Sequence, residues 1–431
     1  MKVCVSGLWH LGTVTAACLA ATGHDVAGHD PDPARVELLA AGKSPIAEPG
    51  LEPLLGEGLA SGRLRFSPEL AAAADCRVLW ITHDTQVDDS DRGDSDSVVR
   101  AIEAFFPYIA PGSVVLISSQ LPVGSTRRLM SSFAVQRPGV AVAFAYSPEN
   151  LRLGTAIDAF TKPERIVVGT ADPNGRKVIE ELLRPLGAPI EWMSIEAAEM
   201  TKHALNVFLA TEIVFANEIA AICEAVGADV ADVVRALKSD PRVGQRAYLG
   251  YGTGYAGGTL GRDVTSLADL TAARGIEAPL LSSIGASNRH QHQWVKRTLV
   301  ARLGELSGLR IGIWGLTYKP GTDTLRRSAS VELCEWLVDR GAVVAVHDPA
   351  VRALPADLAA RISLQPDALS AIRGADALVV ATPWPDYRLV DPESVVSELG
   401  RPIVIDPGRF LAATLGADSR VKYSSVGLAQ A

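Results

Sequence analysis

Cysteine is scarce in this chain. Five of 431 residues, Cys4, Cys18, Cys76, Cys223 and Cys334, are scattered, odd in number and free of any C-x-x-C pair. That spacing argues against a disulfide framework and a zinc site, and favours a reducing cytoplasm. Positive charge is also short: 41 Lys and Arg against 49 Asp and Glu leave a net charge of −8. Nucleic acid and anionic membrane are therefore not expected as main partners. No apolar run of membrane-spanning length stands out. The start imitates a signal peptide, with Lys2, an apolar run and the small residues of "AACLAATG". Gly7, Gly12 and the polar "SGLWHLGT" interrupt that run, which reads instead as strand, turn and helix.

What is present is an ordinary globular composition, 48% hydrophobic and 21% charged, in a chain too long for one core. "MKVCVSG" is a short buried strand ending in glycine, "TVTAACLAATG" a helix ending at Gly23, and "HDVAGHDPDPARVELLAAG" a second strand, an acid at Asp30 and a further helix. This βαβ alternation continues through "RVLWIT", "SVVLISS" and "VAVAFAYS". Near Glu196 the texture changes to "AAEMTKHALNVFLATEIVFANEIAAICEAVG", a long helix of the kind used for packing or dimerisation. "GLRIGIWGLTYKP" and "GAVVAVHDPAV" then repeat the strand–glycine turn–strand pattern, and His-Asp-Pro closes both second strands, at 29–31 and 347–349. The fold class is α/β: two Rossmann-like doubly wound domains joined by a helical middle, with boundaries near 195 and 297.

The first turn has the chemistry of a dinucleotide site. Gly7 allows the tight turn, Gly12 the helix packing, and Asp30 takes ribose hydroxyls and disfavours the 2′-phosphate of NADP. Trp9 stands where the middle glycine of that fingerprint would admit the pyrophosphate. Either the indole swings away, or the half no longer binds a dinucleotide and keeps its glycine turn for packing. Glu199, Lys202 and Asn206 recur at helical spacing on one face. Lys and Asn there are donors suited to a developing oxyanion; the alternative is an exposed Glu–Lys salt bridge. Glu149 in "SPENLRLG" is a loop acid aimed at substrate or a helix-start carboxylate. "GYGTGYAGGTLGRDV" is dense enough in glycine to wrap backbone amides around an anion.

The phrases "GKSPIAEPGL", "PVGSTRR", "SPENLRLG", "KPERIVVG", "AAEMTKHALNVFLATEIVFANE", "DPRVG", "GTGYAGGTLGRD", "GLTYKPGTDTLRRS" and "ADALVVATPWPDY" together resemble the UDP-glucose/GDP-mannose dehydrogenase family across nearly the whole chain. The resemblance implies an NAD-binding domain over 1–195, a central helical dimerisation domain over 196–297 and a nucleotide-sugar-binding Rossmann-like domain over 298–431. It implies a cytoplasmic homodimer that oxidises a sugar C6 alcohol to the carboxylate with two NAD, through a cysteine-bound thiohemiacetal and thioester. Lys202 and Asn206 match residues beside the C6 oxygen, Asp263 the acid beside the attacking water, and Glu149 a substrate-loop acid. Gly7, Trp9, Gly12, Asp30, Thr82 and Gln120 fall on cofactor positions. Leu151, Tyr248, Gly252, Gly254, Tyr255, Lys319 and Arg326 fall on substrate positions.

The departures lie at the sites. Thr259 occupies the position of the nucleophilic cysteine, and a hydroxyl is a poor nucleophile unless a base activates it. Gln120 replaces a threonine, Leu153 an acid, His83 a proline, and Gly261-Arg262 the Pro-Lys before Asp263. The expected activity is one two-electron oxidation of a nucleotide sugar, to an aldehyde or ketone. The alternatives are full C6 oxidation through an aldehyde hydrate, redox-neutral epimerase or lyase chemistry on a sugar nucleotide or nucleoside, and a catalytically silent binding subunit.

Overall fold

The computed structural model describes residues 1–88, 92–149, 151–255, 258–326 and 328–429. The chain divides into two compact units, Met1–Leu205 and Asn206–Ala431. In the first, the apolar runs form eight strands: β1 (Lys2–Ser6), β2 (Asp25–His29), β3 (Leu64–Ser67), β4 (Val78–Ile81), β5 (Val114–Ile117), β6 (Ala143–Tyr146), β7 (Ile166–Gly169) and β8 (Ile190–Met193). Their order is 3-2-1-4-5-6-7-8, parallel except where β6 meets β7. Parallel central strands are covered on both faces, which is why they read as unbroken hydrophobic runs. Val3 and Val5 point into one apolar cluster, while Cys4 points into the other, as the two-residue period of a strand requires.

The second unit carries β9 (Arg310–Trp314), β10 (Val343–His347), β11 (Ser363–Leu364), β12 (Ala377–Val380), β13 (Ile403–Ile405) and β14 (Lys422–Ser424). Their order, 11-10-9-12-13-14, reproduces position for position the 3-2-1-4-5-6 order of the first sheet, and every pairing is parallel. Ile311 and Ile313 enter one cluster and Trp314 the other. Both Rossmann-like halves foreseen from the sequence are present.

A 32-residue helix, Ile195–Val226, spans the change of texture near Glu196. By length and composition it is apolar enough to cross a membrane, which corrects the expectation that no such span exists. Part of that apolar surface is packed: Ile195 and Ala198 join a core of the first sheet, and Ala220 and Cys223 a core of the second.

Candidate active site

The first turn grows out of β1. Gly7 has φ +97°, and a Cβ there would lie 2.7 Å from the His83 backbone, so only glycine fits. Its N–H donates to the His29 carbonyl at 2.9 Å. Gly12 is pinned from the other side, because a Cβ on it would sit 1.9 Å from the Gly7 carbonyl oxygen. The helix His10–Ala21 therefore starts hard against the turn, and no side chain caps its first amides. Those donors and the positive end of the helix dipole suit a pyrophosphate. Trp9 is 41% exposed, and its indole lies against the Arg35 guanidinium, 5.3 Å from the ring centroid. Asp30 is buried and accepts from the Leu8 N–H at 2.7 Å, the Asp32 N–H at 3.0 Å and Arg35 at 2.9 Å. Thr82 is fully buried, with its hydroxyl donating to the Ser6 and Gly7 carbonyls, so it supports the turn from beneath. The carbonyl of Gln120, near the end of β5, accepts from Thr85 at 2.6 Å. Glycine cradle, uncapped helix start and second-strand acid together fit a dinucleotide.

Also in the first unit, Lys202 on the long helix donates to the Glu149 carbonyl at 2.6 Å, fixing the "SPEN" loop and the ammonium together. Leu151, beyond that loop, is half-buried. Glu199 does not form the exposed salt bridge considered from the sequence. It is fully buried and accepts from the Gly124 N–H at 2.5 Å and from the Thr126 N–H and hydroxyl at 2.9 and 2.7 Å. It caps the helix Ser125–Gln136, whose own N-cap is a glycine without a side chain.

In the second unit the Asn206 amide donates to Asp263, which is wholly buried. Thr259 lies one turn before Asp263 on the helix Gly258–Ala273, hence on the same face, and is exposed. Among the described residues its hydroxyl makes no hydrogen bond. The loop before that helix is braced by carboxamides. Asn217 accepts the Gly252 N–H at 2.8 Å, and Gln291 donates to the Gly252 carbonyl at 2.5 Å. Asn288 clasps Tyr255, accepting from its N–H and donating to its carbonyl, both at 3.0 Å, and His292 meets the same carbonyl at 3.0 Å. Gly252 and Gly254 take φ of +145° and +88°, and a Cβ on Gly254 would strike Asn288 at 2.6 Å. Of the loop expected to hold substrate, residues 256 and 257 lie outside the described residues. Tyr248 and Gly250–Gly254 line a cavity of about 330 Å³ with Asp406, Pro407, Gly408 and Phe410. Lys319 and Arg326 are exposed on the segment between β9 and the helix Ala329–Val338.

Sequence reasoning passed over Asn217, Asn288, Gln291 and the Asp406–Arg409 segment. The available signal was polar carboxamides on otherwise packed helices; nothing in the sequence marked Arg409, whose φ of +57° is the sole positive value outside glycine among the described residues.

Comparison with known proteins decides the family. Models of the UDP-glucose/GDP-mannose dehydrogenase family match its NAD binding domain over residues 1–187, its central domain over 196–290 and its UDP binding domain over 312–413. The chain belongs to this family. It is 34% identical to UDP-glucose 6-dehydrogenase of Pseudomonas aeruginosa, covering 99% of this chain and 97% of that protein. It is 33% identical to GDP-mannose 6-dehydrogenase of Pseudomonas putida over 82% of each chain. The solved UDP-glucose dehydrogenase of Pyrobaculum islandicum superposes with a TM-score of 0.88 at 32% identity, covering 99% of this chain and 98% of that one. The protein is thus an enzyme of the NAD-dependent nucleotide-sugar dehydrogenase kind.

Proposed function

We propose that this enzyme oxidises a nucleotide sugar of the UDP- or GDP-hexose type by one two-electron step, releasing an aldehyde or ketone. The observation that carries this reading is the exposed Thr259 in a chain whose five cysteines are all buried. Burial pushes the Cys18 and Cys334 thiols up to about 12 and Cys76 to about 11, and raises Cys4 as well. A thioester needs a thiolate at the substrate carbon, and these residues do not offer one.

The Gly7 turn, the helix start at His10 and Asp30 would hold NAD, which would supply the hydride acceptor. The chain's own residues handle oxygen and proton. Asn206 keeps a second amide N–H beyond the one given to Asp263, and Lys202 supplies an ammonium, so both are donors for the alkoxide that forms as the hydroxyl proton departs. Asp263, held by Asn206, is the carboxylate that receives that proton directly or through water. Glu149 shapes the substrate loop through its carbonyl contact with Lys202. Diphosphate and sugar lie against the 248–255 loop, with Lys319 and Arg326 supplying positive charge.

We also infer the three-part organisation 1–195, 196–297 and 298–431, and a homodimer. On the long helix Phe208, Phe215 and Ile222 recur every seven residues and are 61%, 46% and 57% exposed, with Val226 continuing the stripe at 71%. A second copy covering this seam accounts for it. A cytoplasmic location suits five unpaired cysteines.

Incubation with NAD and a panel of UDP- and GDP-sugars tests the chemistry. One NADH per sugar and a trappable carbonyl product support it. Two NADH and a uronic acid overturn it in favour of full oxidation through an aldehyde hydrate, which carries its own transferable hydride. Isomerised or eliminated product without net NADH overturns it in favour of redox-neutral chemistry.

A further inference from the structure

Within the first unit, one buried carboxylate joins the start of the cofactor helix to the end of the substrate loop. Glu48 lies just ahead of the helix Leu51–Ala60, and its side chain is 1% exposed. Its Oε1 accepts the Ala156 N–H at 2.9 Å, and its Oε2 accepts the Gly154 N–H at 2.7 Å. The same Oε2 lies 3.3 Å from Nε2 of His10, the first residue of the helix that follows the Gly7 turn. An ionised carboxylate only accepts, so His10 is the donor. One oxygen atom thus holds residues 10 and 154 together.

The described part of the loop, 147–149 and 151–155, is tied at three places. The Ser147 hydroxyl fixes its start by donating to the Val167 carbonyl at 2.8 Å. Lys202 fixes its middle through the Glu149 carbonyl at 2.6 Å, and Glu48 fixes its end. Between the last two ties Leu151 packs on the core, while Arg152 and Leu153 are exposed. The helix Ala156–Thr161 begins with a threonine at its N-cap that makes no side-chain cap bond. Its first amide is met instead by a carboxylate more than a hundred residues away, on the side of the cofactor helix. A local cap would satisfy that amide equally well, but it would not reach His10.

The two ends of this joint belong to different ligands. His10 opens the helix whose uncapped amides suit a pyrophosphate, and the loop carries the tie to the Lys202 ammonium that faces the substrate oxygen. A pyrophosphate on the first turn steadies the helix start, hence His10, hence Oε2 of Glu48 and the Gly154 amide bonded to it. We propose that His10 and Glu48 are positioning residues that couple the two ligands, so that a dinucleotide bound at the first turn sets the loop for the nucleotide sugar. This rests on the dinucleotide reading of the turn and the substrate reading of the loop, and adds the link between them. By linkage, each ligand then favours the other by the same factor.

The test is calorimetric titration of UDP-glucose, and of GDP-mannose as a second probe, with and without saturating NADH, on wild type, His10→Phe and His10→Gln. In wild type NADH tightens the better-bound probe by about fivefold or more. His10→Phe brings that ratio close to one, and His10→Gln, which carries an amide N–H at similar reach, restores it. The ratio reports coupling alone, whatever each variant does to the separate affinities. Hydrogen exchange on wild type gives a reading that needs no variant: NADH by itself slows exchange of the Gly154 and Ala156 amides. A wild-type ratio of one, an undiminished ratio in folded His10→Phe, a His10→Gln protein no better than His10→Phe, or amides indifferent to NADH overturns the proposal alone. Failure of wild type to bind NADH overturns the dinucleotide reading, and failure to bind either probe overturns the nucleotide-sugar reading, each taking the proposal with it.

Discussion

At the ends of β1 and β9 the backbone makes the same turn twice. Gly7 and Gly315 take φ of +97° and +91° and donate to the His29 and His347 carbonyls at 2.9 and 2.8 Å. The next residue, Leu8 or Leu316, donates to the acid closing the second strand, Asp30 or Asp348, at 2.7 Å in both. The halves part at those acids. Asp348 also accepts from the Thr317 N–H and hydroxyl, the Trp384 indole and the Ala350 N–H, so its neighbours use it up. Asp30 has fewer donors, one of them an Arg35 guanidinium that is partly exposed and stacks on Trp9. The helix after Gly7 begins at His10, whereas the chain after Gly315 runs through an irregular segment carrying Lys319 and Arg326 before its helix starts at Ala329. One frame thus yields a helix-start pocket for a dinucleotide and, by inserting a basic loop, a different pocket. The acid follows suit, with fewer donors on Asp30 in the first half and a staple at Asp348 in the second.

Asp348→Ala gives the largest loss. It strands several buried donors and lowers the unfolding free energy by about 3–5 kcal/mol in urea titration. A change as small as that of a surface variant would break the staple reading.

Acid separates the halves next, because Thr382 takes the place of His83 in the second turn. His83 binds its proton only near pH 4 when folded, against an ordinary value of 6.5, so the unfolded chain takes up more protons between those values. Stability is therefore complete above about pH 6.5 and falls as pH drops towards 4, by about 2 kcal/mol at pH 5. His29 and His347 are shifted down in both halves, so His83 is the asymmetric contributor among these three. Urea melts at pH 5 and pH 7 read the loss, and His83→Phe is expected to flatten it.

Asp30→Ala costs about 1–2 kcal/mol of stability, less than its counterpart, but weakens NAD and relaxes exclusion of NADP. Equal damage to both acids, with no change in cofactor preference, would erase the distinction drawn between them. Smallest is Trp9→Gly, which forfeits about 0.5–1 kcal/mol of contact with Arg35 and leaves NAD affinity in place. A loss beyond tenfold, read by the same calorimetry, would make the indole part of the pocket.

Much of this comparison was legible in the sequence, because the glycine turns and the paired His-Asp-Pro are local features with a local cause. The doubly wound α/β class followed from βαβ alternation. The antiparallel join of β6 to β7 did not, since "RIVVG" reads alike in either direction. The stacking of Trp9 on Arg35 was not legible either, since a sequence records an indole's presence and not its rotamer. Glu199 read as half of a surface pair because its partners, Gly124 and Thr126, lie over seventy residues away. His10, Glu48 and Gly154 were invisible as a group for the same reason: they meet only when the first unit folds.

The loop at Gly252–Tyr255 is held by Asn217, Asn288 and Gln291, all neutral. Neutral braces are indifferent to ionic strength. Added salt therefore leaves the shape of this cradle alone, and any decline of nucleotide-sugar affinity with salt becomes a gauge of the pull on the diphosphate that we propose for Lys319 and Arg326.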